Sequence, residues 1–150
     1  MKETDSVSRR KFISSTALAS AAATFPYVAK GEALQSDTIR VAAIGLGGRG
    51  TGAITQILDA PKDLEKDKNV RCNTKLVAVA DAFPEKSANK IAAFKKKYGD
   101  DRIDVVGRIF GGLDGYTLAI NEDVDMVVIA TPPGFNPQQF EYAINQGKKV

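Results

Sequence analysis

The stretch from Thr38 to Leu58, TIRVAAIGLGGRGTGAITQIL, limits what the chain can fold into more than any other. It opens with a largely apolar, β-branched run, Ile39 to Ile44, of the length of a buried strand. It turns through Gly45-Leu46-Gly47-Gly48-Arg49-Gly50 and continues into Ala53, Ile54, Ile57 and Leu58, whose spacing places them on one face of a helix. A GxGxxG turn between a strand and a helix points to dinucleotide binding. Each glycine has a chemical reason. Gly45 lets the chain leave the strand in a tight turn, Gly47 has no Cβ to keep backbone away from a pyrophosphate, and Gly50 lets the helix pack against the strand. The helix then offers its unpaired N–H groups and its positive end to the phosphates. Leu46 and Gly48 complete the loop, and Arg49 either lends a charge to the pyrophosphate or lies in solvent.

A second strand, Lys75 to Asp81, ends in a carboxylate. In a dinucleotide fold an acid at that tip accepts hydrogen bonds from the adenosine ribose, so Asp81 is a candidate cofactor residue. Its separation from Gly50 exceeds the usual ~20 residues. The polar stretch Asp59 to Thr74, which contains Pro61, is expected to be a surface insertion and accounts for the excess. Asp81 also favours NAD over NADP, which stays possible if Lys86 offsets the repulsion. A carboxylate about 4 Å from a 2′-phosphate costs on the order of 4 kcal/mol per unit charge at an effective dielectric near 20.

Further along, Pro84 to Tyr98 has a proline and a glutamate at its start, three lysines at its end and Gly99 after it, the signature of a helix. Val105-Val106 or Arg108-Ile109-Phe110 is a short third strand, and Tyr116 to Ile120 one or two helical turns. Asp125 to Ala130 is apolar without alternation, as in a strand covered on both faces of a parallel sheet. It exits through Thr131-Pro132-Pro133-Gly134 at the carboxyl end, where open α/β sheets bind ligands. Asn136 is expected to cap a last helix, with Pro137 at its first position, Phe140, Ala143 and Ile144 facing inward and Gly147 ending it. The order of elements gives an α/β class with a parallel Rossmann-type sheet ordered 3-2-1-4-5, the fifth strand only begun at Lys148.

The first 37 residues read differently. Ser8-Arg9-Arg10-Lys11-Phe12-Ile13 leads into small and apolar residues, the form of an export signal. The paired arginines resemble the twin-arginine signal, with Ala21-Ala22-Ala23 suited to cleavage. Residues 1–30 are therefore expected to be the signal and 31–37 a linker, with the twin-arginine translocase as partner and the periplasm as destination. Retention as an anchor, or a plain amphipathic helix, is the alternative. Five of the 21 basic and two of the 18 acidic residues lie in residues 1–30, so the net charge of +3 belongs to that segment and the rest is neutral. No basic face for nucleic acid is implied. Cys72 is alone and histidine is absent, so neither a disulfide framework nor a metal site is expected.

The set IRVAAIGLGGRGTGA, LVAVADAF, DGYTLAINEDVDMVVIATPP and NPQQFEYAINQGKKV resembles, in this order, the nucleotide-binding half of the glucose–fructose oxidoreductase, inositol dehydrogenase and MocA family. The resemblance covers residues 38 to 150. It implies that Gly45, Leu46, Gly47, Gly48, Arg49 and Gly50 hold the pyrophosphate and Asp81 the ribose. Ala130, Thr131 and Pro132 would lie on the nicotinamide side. It implies NAD as cofactor, a sugar or polyol as substrate, hydride transfer as the reaction, and assembly of identical subunits at full length. The family's Glu-Lys-Pro motif, with its catalytic lysine, and its substrate domain follow the last strand; both are expected beyond Val150, so no catalytic residue is named. Two rivals stand beside this reading: a glycosidase of the same family that uses NAD transiently, and a non-catalytic nucleotide-binding fragment.

Overall fold

A computed structural model describes residues 38–68 and 72–150. The expected signal and linker lie outside the described residues. Four strands, β1 (Thr38–Ile44), β2 (Asn73–Asp81), β3 (Ile109–Gly111) and β4 (Met126–Ile129), alternate with four helices: α1 (Gly48–Lys68), α2 (Pro84–Tyr98), α3 (Gly115–Asn121) and α4 (Asn136–Asn145). Every pairing is parallel and the order is β3-β2-β1-β4. Lys149 makes a single parallel bridge to Met126 beside β4, at the place of the expected fifth strand.

Both faces of the sheet are covered, which explains why the strands read as unbroken apolar runs. Val41 and Ala43 of β1 point into one core with Ile54, Leu58, Ile91 and Phe94 of α1 and α2. Ala42 and Ile44 point into the other with Tyr116, Ala119 and Ile120 of α3 and Ala143 of α4. The β1–β2 register slips between Val41 and Ala42, and Val77 is the residue skipped.

Several expectations need correcting. The stretch after Asp59 is not a loop insertion: α1 runs through Pro61 to Lys68. Proline has no N–H, so the Ile57 carbonyl loses its usual donor four residues on. The buried Thr74 hydroxyl replaces it at 3.0 Å, and Arg102 Nη2 donates to the next carbonyl, Leu58, at 2.7 Å. The third strand is the second of the two candidates, while Val105 is a core residue and Val106 is exposed. In α4, Phe135 rather than Asn136 is the cap residue. Its inner face carries Gln139 and Ala143, leaving Phe140 and Ile144 about half exposed.

The amino end of the sheet is tied by Arg40, whose Nε and Nη2 grip the Asp125 carboxylate at 3.1 and 3.0 Å. Arg40 N adds a third bond to Asp125 at 2.8 Å, and Arg40 also pairs with Asp123. The hydrogen bond from Arg40 holds the Asp125 carboxyl below the ordinary aspartate range. Because all strands run the same way, their other ends bring four connections together at the opposite edge.

Candidate functional site

That carboxyl edge is where the glycine turn sits. Gly45 has φ +84°, closed to most side chains, and a methyl group on it would come 2.9 Å from the Ala130 carbonyl oxygen. A methyl group on Gly50 would come 1.9 Å from the Gly45 carbonyl oxygen, so α1 can lie this close to β1 only with glycine there. At Gly47 the same group would meet nothing within 4 Å. The turn thus packs tightly behind and is open in front.

The turn's backbone groups divide in the same way. Gly45 N donates to Ala80 O at 2.7 Å, and Leu46 N donates to Asp81 Oδ2 at 2.7 Å. The Leu46 carbonyl accepts from Lys90 Nζ, and the Gly47 carbonyl from the N–H and hydroxyl of Thr51. Among the described residues, the N–H groups of Gly47, Gly48, Arg49 and Gly50 have no acceptor. They are the orphan donors of a helix start, carrying its partial positive charge.

In front of the turn lies a cleft of about 410 Å³, within the range of small-molecule sites. Gly45 and Gly47 border it, with Asp81 at the end of β2 and Ala130, Thr131 and Pro132 after β4. These six expected site residues therefore meet at one place. The other four do not line it. Leu46 turns its side chain into the core, Gly50 lies beneath the turn, and Gly48 opens onto free space. Arg49 faces a second cleft, over β4 on the α1 side, together with Gln56, Ile129, Thr131 and Asn136.

Asp81 does more than end a strand. Its Oδ2 takes Leu46 N–H and its Oδ1 takes Phe83 N–H at 2.9 Å, so both loops are fastened to one carboxylate. A carboxylate has about four acceptor positions, leaving one on each oxygen for a ligand. The Lys86 ammonium sits 4.4 Å from the centre of the ring of Phe83, which itself borders the cleft.

Other lining residues were not anticipated: Phe83, Gly112, Leu113, Tyr116, Phe135 and Gln139. Gly112 and Leu113 follow β3 at its carboxyl end, so the rule that singled out Thr131 reaches them once the third strand is placed. Gln139 is buried, with Oε1 2.5 Å from Thr131 Oγ1, while Asn136 Oδ1 lies 2.8 Å from the same hydroxyl. One hydroxyl donates one proton, so one of the two amides presents its nitrogen to Thr131 instead.

No family model matches the chain. Over 115 residues, 76% of its length, it is 30% identical to glycosyl hydrolase family 109 protein 1 of Bacteroides fragilis strain YCH46. It matches glycosyl hydrolase family 109 protein 3 of Phocaeicola vulgatus at the same identity and coverage. These matches take in 22% and 18% of the two proteins, so the chain spans about a fifth of the length of the curated relatives it matches. Among solved structures, scyllo-inositol dehydrogenase from Lactobacillus casei, with bound cofactor NAD(H) and scyllo-inositol, is similar at 28% identity and a TM-score of 0.49. That similarity covers 74% of this chain and 26% of the other.

Proposed function

We propose that residues 38–150 are the nucleotide-binding part of an NAD-dependent enzyme of the glucose–fructose oxidoreductase, inositol dehydrogenase and MocA family. The observation that carries the proposal is the set of four unpaired N–H groups, Gly47 to Gly50, at the start of α1 beside the Asp81 carboxylate. Donors without acceptors at a helix mouth suit a pyrophosphate, and an acceptor across from them suits ribose hydroxyls. The open space before Gly47 admits phosphate oxygens against the backbone. Ala130, Thr131 and Pro132 border the cleft from the β4 side, where the nicotinamide end of the cofactor would lie. When bound, the cofactor supplies a nicotinamide ring able to accept or give a hydride. The chain's own contribution is to bind and orient it, with the sugar or polyol and the catalytic residues placed by protein beyond this stretch. Export by the twin-arginine route, loaded with cofactor, and self-assembly of the full-length protein belong to the same proposal.

The glycosidase reading has its own support in the 30% identity to glycosyl hydrolase family 109 proteins. The family resemblance extends to glycosidases that oxidise and re-reduce the sugar on bound NAD. Net redox change separates the two: a dehydrogenase accumulates NADH, and a glycosidase releases an aglycone without it.

Calorimetric titration of the chain with NAD and NADP tests the site itself. Saturable one-to-one binding is expected, with NAD favoured several-fold. Even a quarter of the Asp81–phosphate repulsion, about 1 kcal/mol, is worth a factor of about five. Absence of binding to either would remove the nucleotide reading; preference for NADP would remove Asp81 from the ribose.

A further inference from the structure

The peptide that carries the Gly47 N–H is held from outside the cleft. On one side of Leu46, the N–H is fixed by Asp81; on the other, the carbonyl is fixed by Lys90 Nζ at 2.5 Å. Lys90 belongs to α2, is half-buried and does not border the cleft. The Leu46 side chain is buried, which pins its α-carbon. The motion left to the segment is rotation of the Leu46–Gly47 peptide plane. In a trans peptide the C=O and N–H point in opposite directions, and the described chain has no cis bond. Drawing the Leu46 carbonyl toward α2 therefore turns the Gly47 N–H away from α2. The only other donor to this carbonyl among the described residues, Thr51 Oγ1, is 3.4 Å away and bonds Gly47 O at 2.7 Å.

We propose that Lys90 is a positioning residue for the phosphate-binding turn: it holds the Leu46 carbonyl and so sets the direction of the Gly47 N–H. The inference rests on the nucleotide reading above. A charge-assisted hydrogen bond suits the task, because it resists a peptide flip better than a neutral one. The ammonium acts through backbone and touches no ligand. Donors fixed before binding cost nothing to arrange when the ligand arrives.

The test compares wild type, Lys90→Met and Lys90→Arg by calorimetry with NAD, ADP-ribose and adenosine. Lys90→Met is expected to weaken NAD and ADP-ribose about tenfold, leave adenosine unchanged, and be rescued by Lys90→Arg. In the unliganded Lys90→Met chain the Gly47 amide resonance should shift, because the peptide turns before any phosphate is present. Unaltered NAD affinity in Lys90→Met overturns the proposal. So does an equal loss for adenosine, which marks general loosening. An unmoved Gly47 amide with weakened NAD also overturns it, since Lys90 would then act on the phosphates by charge. A wild type that binds no dinucleotide brings down the nucleotide reading itself, and this inference with it.

Discussion

Gly47 and Gly50 are three residues apart in one turn, yet adding a methyl group to each should have opposite consequences. At Gly50 the new carbon would lie 1.9 Å from the Gly45 carbonyl oxygen, and its neighbour is backbone, which cannot rotate aside. Restoring a normal C···O separation of about 3.3 Å requires α1 to retreat from β1 by roughly 1.4 Å. That retreat would loosen the packing of Ile54 and Leu58 in their core. The cost belongs at the top of the overpacking range, about 3 kcal/mol, or a fall in Tm of about 15 °C for a domain of this size. Gly50→Ala should therefore show a lower urea midpoint by far-UV circular dichroism with an unchanged denaturant slope. At Gly47 the methyl meets nothing and the backbone is not left-handed. Gly47→Ala should keep or gain about 0.5 kcal/mol through a stiffer unfolded chain, while NAD affinity falls about tenfold. A Gly50→Ala protein as stable as wild type would refute the packing described for the turn. A Gly47→Ala protein that binds NAD normally would refute the approach of phosphate to that residue.

Two further outcomes concern stability. Asp125→Asn removes the carboxylate that Arg40 grips, and the folded pKa of Asp125 is depressed. Its contribution is therefore complete above the unfolded value of about 3.9 and is lost as pH falls through the lower folded value. The stability gap between wild type and variant, read from urea midpoints, should be constant from neutral pH down and close in the acid range; a gap that widens with acid would contradict the pairing. Thr74→Val keeps the shape but removes both the hydroxyl donor to the Ile57 carbonyl and an acceptor of Arg102 Nη2, at a cost of about 1–3 kcal/mol; an unchanged Tm would show that the hydroxyl's bonds carry no weight.

How much could be read from the sequence depended on how local each cause was. The glycine turn, β1, β2 and the β4 exit declare themselves because strand, turn and helix start are consecutive residues under consecutive constraints. The continuous apolar run of β4 marked a strand covered on both faces. The extension of α1 was hidden because its second half is polar and contains a proline, which reads as a stop; the groups that rescue the helix, Thr74 and Arg102, come from elsewhere in the chain. The face of α4 was misjudged because Phe140 and Ile144 outweigh Gln139 in hydrophobicity. Gln139 faces inward beside Thr131. The role of Lys90 was invisible for a similar reason: it meets Leu46 across 44 residues of chain, and nothing in its neighbourhood on α2 distinguishes it from the other lysines.

The proline in α1 also bears on the order in which the domain assembles. Cut free as a peptide, residues 48–68 would have only water to satisfy the Ile57 carbonyl, and helicity should fade at Pro61. In the fold the last turns of α1 are supported by Thr74 of β2, which pairs with β1 and β3, and by Arg102. Completion of α1 past Pro61 is thus expected to be coupled to sheet formation, and residues 48–68 alone should not hold the helix over their full length.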